Sequence, residues 1–140
     1  MWFRSTVALL LATLACTAAT AGQAPSAPPA DPRTILDRVY SVAQAERGES
    51  TFKRSCTGCH AATDFAQGMV ASHWEGGSLD DIFEIVAKYM PANDPGSLKP
   101  EEAAAVIAFF LHMDGYPVGY NDLPGDAAVL AKIGIVPNPQ

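Results

Sequence analysis

Cys56-Thr57-Gly58-Cys59-His60 is the stretch that decides this chain. A CxxCH run is the attachment signature of c-type haem. Two thiols three positions apart lie on one face of a helical turn, so both reach the edge of a porphyrin that carries its two vinyl groups. Each thiol adds to a vinyl as a thioether. The imidazole of the adjacent His60 then lies under the macrocycle as the proximal iron ligand. The expectation is one haem c per chain, held covalently through Cys56 and Cys59.

Two rival readings of CxxC fit the rest of the sequence less well. A structural zinc site needs four ligands, usually from a second CxxC or an HxxxH pair. The one other cysteine is Cys16, far upstream, and His73 and His112 stand singly. A thioredoxin-like dithiol follows a buried strand in a βαβ unit. Here the flanks are Thr51-Phe52-Lys53-Arg54 and Asp64-Phe65-Ala66, with no β-branched run.

A haem bound by His60 alone is open to small ligands, whereas a Met thioether closes the site and raises the potential. The candidates are Met69, Met90 and Met113. Met69 follows His60 too closely for the chain to pass around a porphyrin, and Met113 ends a helix where it packs. Met90 precedes Pro91 at a helix exit, and a residue before proline is pushed out of the α region. It is the expected sixth ligand, so the iron ligands are His60 and Met90. His73 and His112 are the bis-His alternatives, and core filler is the plain reading of any Met. Trp74 could donate its indole N–H to a haem propionate or simply anchor a loop.

Outward from this site the sequence reads as all-α. Ser41 and Gln44 form a capping box opening a helix from Val42 to about Arg54. Thr34 and Asp37 form a weaker one over Ile35, Leu36, Val39 and Tyr40. Gly48 inside the first helix costs about 1 kcal/mol relative to Ala, and with Phe52 one turn on it marks where another helix backbone crosses closely. Thr63 to Gly77 reads as irregular. Ser78 and Asp81 cap a helix presenting Leu79, Ile82, Phe83, Val86 and Tyr89. Pro100 with Glu101 and Glu102 opens a further helix reaching about His112. The residues after it, rich in proline, are expected to wrap the domain surface, with a short helix at Asp126–Lys132.

These elements divide the chain into residues 1–21 as a signal peptide, 22–33 as a Pro/Ala-rich linker, 34–113 as the haem domain and 114–140 as a C-terminal tail packed on it. Arg4, the apolar run Val7 to Ala15 and the small residues Ala19-Thr20-Ala21 carry the export signal. The run is too short and too rich in Ala and Thr for a transmembrane span. The expected location is therefore the periplasm, with no membrane span in the mature chain. Leu14-Ala15-Cys16 is a partial lipobox, which leaves lipid anchoring through Cys16 open. Fifteen acidic against nine basic side chains give a formal charge of −6. This excludes nucleic-acid partners and suits a docking partner with a positive patch.

Gly48-x-x-x-Phe52 ahead of Cys56-x-x-Cys59-His60, the Met90-Pro91 step and Val106-Ile107-Ala108-Phe109 together resemble a class I cytochrome c over about residues 41–113. The resemblance implies three to five helices around one haem with an exposed edge. It also implies single-electron transfer between larger redox proteins rather than enzymatic turnover. Val39-Tyr40, Gln44-Ala45, Arg47-Gly48, Trp74-Glu75-Gly76, Pro95-Gly96-Ser97-Leu98 and Gly115-Tyr116-Pro117 are similar to bacterial periplasmic cytochromes found with quinoprotein dehydrogenases. Ala61 departs from them, since relatives often carry Gly after the haem histidine. That likeness implies a quinoprotein dehydrogenase as donor and a terminal oxidase or another cytochrome as acceptor, met as a monomer or in a transient complex. The alternatives are a haem subunit docked permanently on such a dehydrogenase, and a haem enzyme or sensor with an open distal face.

Overall fold

Two helices crossing at a glycine organise the molecule. A computed structural model describes residues 33–139, so the signal-peptide, lipobox and most of the linker readings lie outside the described residues. Helix α1 (Val42–Ser55) buries Gln44, Ala45, Gly48, Thr51 and Phe52, a single stripe at helical spacing. Helix α4 (Pro100–Met113) is buried from Ala103 through Leu111 and is the central rod of the core. The two meet where Gly48 has no side chain. A Cβ at that position would lie 2.5 Å from the Ala105 carbonyl carbon and 3.0 Å from the Phe109 Cβ. The close crossing expected from Gly48 and Phe52 is therefore present, and it sets the distance between the helices.

Around this pair stand α2 (Met69–Trp74), α3 (Leu79–Tyr89) and α5 (Ala127–Leu130), with a short 3-10 turn at Ala62–Phe65. Strands β1 (Arg33–Thr34) and β2 (Ile133–Gly134) form a parallel pair, Arg33 opposite Ile133 and Thr34 opposite Gly134. The architecture is all-α, with five α-helices among the described residues. No helix among them is long and apolar enough to cross a membrane.

Several local expectations change in the structure. Ser41 caps α1 by accepting the Gln44 N–H at 3.0 Å, but the Gln44 side chain does not return the bond. It is buried and pairs in both senses with Leu123, donating to its carbonyl and accepting its N–H, each at 2.7 Å. Tertiary satisfaction of a buried amide outweighs the local reciprocal bond. Thr34 and Asp37 do hydrogen-bond, yet they close a turn and not a helix, since Arg38 follows at φ 54°. The capping box at Ser78 and Asp81 forms, with the Ser78 N–H reaching the Asp81 carboxylate at 2.7 Å.

The segment from Thr63 to Gly77, read as irregular, contains most of the 3-10 turn and all of α2. Six residues are too few to hold a helix in water on their own. What steadies α2 comes from outside it. Asp114, beyond the end of α4, accepts the Gly68 and Val70 N–H groups, each at 2.9 Å. The residues after Met113 also do more than wrap a surface. Tyr116, Leu123, Leu130, Ile133 and Ile135 are all buried in the common core. Proline and short apolar runs hid that contribution, because neither periodicity applies to them.

Tyr40 ties this segment to the start of α1. Its side chain is fully buried, its O–H donates to the Tyr116 carbonyl at 2.7 Å, and the Tyr116 hydroxyl in turn donates to Val136 at 2.8 Å. Burial pushes the Tyr40 phenol up from 10.0 to about 12. The folded state therefore holds this proton more tightly than the unfolded chain. Its contribution to stability is complete below pH 10 and is lost as the pH rises to about 12. Unfolding free energies from urea titrations at pH 8 and near pH 11.5 should differ less in Tyr40→Phe than in the wild type, by up to roughly 2 kcal/mol. At pH 8 the variant should be less stable by about 1–3 kcal/mol, since the Tyr116 carbonyl loses its donor. Equal pH sensitivity in the two proteins would remove Tyr40 from the alkaline transition.

Candidate functional site

The exit of α1 carries the CxxCH residues. Cys56 is the C-cap, its N–H still bonded to the Phe52 carbonyl at 2.8 Å. Its own carbonyl accepts from Cys59 at 3.1 Å and from His60 at 3.0 Å. One carbonyl thus winds the five-residue run into a turn continuous with the helix. Thr57 supports the turn through its hydroxyl, which donates to the Lys53 carbonyl at 2.9 Å.

Both cysteines are free thiols. Cys56 is half-buried against the core, while Cys59 is exposed. Burial pushes the Cys56 thiol up, and the nearby Arg54 guanidinium offsets part of that rise. Arg54 itself is paired with Glu102 of α4 at 2.9 Å. That exposed pair adds at most a few tenths of a kcal/mol to about 1 kcal/mol.

An aromatic wall stands beside the turn. The His60 ring meets Phe65 edge-on at 5.3 Å. Phe65 stacks flat on Phe110, with centroids 4.3 Å apart and planes within 4°. Phe52 contacts Phe65, Phe109 and Phe110 at 5.5, 5.6 and 6.0 Å. The sequence reading did not single out Phe65 or Phe110 for the site. Their pairing spans elements separated by α2 and α3, and no local pattern announces it.

Met90 lies on a different element, directly after α3. It is half-buried, with extended backbone at φ −112° and ψ 150° and a cis bond to Pro91. Met69 is buried in the core at the start of α2, and Met113 is partly buried against it. His73 is exposed, with Nδ1 3.1 Å from the Met69 carbonyl oxygen. His112 is also exposed, its ring edge-on to Tyr40 at 6.3 Å. Trp74 is half-buried and packs on the core at the end of α2.

This donor set fits a covalently held haem. Two free thiols share one turn, an imidazole follows at once, and an apolar ring wall lies next to it for a macrocycle to pack on. A thioether stands at a helix exit elsewhere in the same fold. A bare-ion site fits less well, for among the described residues no three His, Cys, Asp or Glu side chains gather to hold a metal.

Residues 43–110, which run from α1 through most of α4, match the family cytochrome c oxidase, cbb3-type, subunit III. They are a class I cytochrome c domain. No curated protein and no solved structure matches the chain. The cytochrome c domain carries haem c, works in single-electron transfer, and has other redox proteins as its partners.

Proposed function

We propose that this cytochrome is an exported, periplasmic carrier whose haem is held by Cys56 and Cys59 and whose iron is ligated by His60 and Met90. The observation that carries the reading is the Cys56–His60 turn at the exit of α1, inside the matched domain. Bound there, the haem supplies reversible one-electron chemistry at its iron. The chain's residues do the rest. The two cysteines would hold the macrocycle, His60 and Met90 would bind its iron, and the Met90 thioether would shield that iron from small ligands and raise its potential. The ring wall of Phe52, Phe65, Phe109 and Phe110 keeps water from the proximal side.

Residues 1–21 direct export in this reading, and residues 22–33 tether the domain to the processing site. The donor is a quinoprotein dehydrogenase and the acceptor a terminal oxidase or another cytochrome. The matched family is named for an oxidase subunit. That name favours a second reading, in which the chain is a fixed subunit of a larger redox enzyme. Co-elution with a candidate partner at high salt separates a fixed subunit from a transient carrier.

The visible spectrum of the haem-loaded protein tests the carrier reading. Low-spin bands in both oxidation states are expected, with the weak far-red band of sulfur bound to ferric haem. A high-spin spectrum lacking that band means an open iron, and would bring the haem enzyme or sensor reading forward.

A further inference from the structure

The last turn of α4 and the residue just beyond it grip the chain that follows His60 at two points. Phe110 stacks on Phe65 in the 3-10 turn. Four residues on, Asp114 spends both carboxylate oxygens on that same loop, Oδ1 on the Gly68 N–H and Oδ2 on the Val70 N–H. Between the two grips the backbone makes a sharp reversal. Gln67 at φ 63° and Gly68 at φ 82° are both left-handed. A glutamine in that conformation is disfavoured, and the loop tolerates it only when other contacts over-determine it. Asp114 is itself secured, since its N–H bonds to the Phe110 carbonyl at 3.0 Å and its own carbonyl accepts from Asn138 at 3.0 Å.

We infer that Asp114 is a positioning residue for the proximal side: by clamping Gly68 and Val70 it holds the loop that keeps Phe65 against the His60 ring. The carboxylate's two bonds fix where the 3-10 turn ends. That position fixes the Phe65 ring, and Phe65 limits how the imidazole can rotate. Ring orientation and water access at the axial histidine tune a haem's potential. The link to the iron rests on His60 being the axial ligand, whereas the clamp itself does not.

The test uses the haem-loaded full chain with Asp114→Ala and Asp114→Asn. Backbone amide exchange at Gly68 and Val70 should accelerate about tenfold or more in the Ala variant, the amides of α1 staying protected. The hyperfine-shifted His60 ring signals of the ferric protein should move, and the reduction potential with them. Asp114→Asn keeps one acceptor and should fall between. Unchanged exchange at Gly68 and Val70 would overturn the clamp. Faster exchange with His60 signals and potential unmoved would reduce Asp114 to a helix cap and overturn its positioning role. Faster exchange spread equally over α1 and α4 would show general destabilisation and overturn it as well. Failure of the axial assignment is seen separately, as a low-spin spectrum that survives His60→Ala.

Discussion

Met90→Ala is expected to convert a closed, low-spin haem into an open one. The far-red sulfur band should vanish, the ferric spectrum should turn high-spin, and carbon monoxide or imidazole should bind where it could not before. The potential should fall by at least about 0.1 V, because a thioether favours ferrous iron and axial ligands set haem potentials over a range of about 0.8 V. The fold should survive, for Met90 is half-buried at the edge of α3 and not in the α1–α4 core. A potentiometric titration with spectra before and after added imidazole measures all of this. Persistence of the sulfur band would sink the Met90 assignment and return attention to Met69 and Met113. Of these two, Met69 is packed in the core and would have to leave it.

The second large effect lies away from the site. Gly48→Ala should destabilise the protein by roughly 3 kcal/mol or more, or prevent it from folding. Alanine is intrinsically better in a helix by about 1 kcal/mol, so propensity alone predicts the opposite sign. The geometry decides, because the new methyl would be driven into the backbone of α4 at Ala105 and against Phe109. Backbone cannot move aside as a flexible side chain can, so the helices must part. Cys56 lies two turns beyond Gly48 on the same helix, and Phe109 and Phe110 lie on the helix displaced. Loosening of the haem environment should therefore accompany the lost stability. Urea unfolding of the haem-loaded protein measures the first and the spectrum of the folded state the second. A Gly48→Ala protein as stable as wild type would mean that the crossing is looser than described.

How much was legible beforehand depended on the range of the interactions. The capping residues Ser41, Ser78 and Pro100, the stop at Pro91 and the apolar stripes of α1 and α3 are signals within a few residues of what they control. Those helices begin and end close to where the sequence placed them. Helix α2 escaped because its stability is borrowed from Asp114, 44 residues away from Val70. Gln44 was assigned to a local cap because its partner Leu123 lies 79 residues on.

By itself, then, the sequence determined the chemistry on offer and the local order. The CxxCH spacing, the Met-Pro step and the glycine set for a helix crossing are written in short windows, and short windows are where side-chain geometry and backbone propensity act. Only the tertiary structure decided what surrounds that chemistry. It stacked Phe65 on Phe110 beside His60, drew Tyr116, Leu123 and Ile135 into the core, and brought the Asp114 carboxylate to the loop after the histidine. Each of those joins residues from distant segments, and such pairings are selected by burial and by the need to satisfy buried polar groups, which no local pattern records.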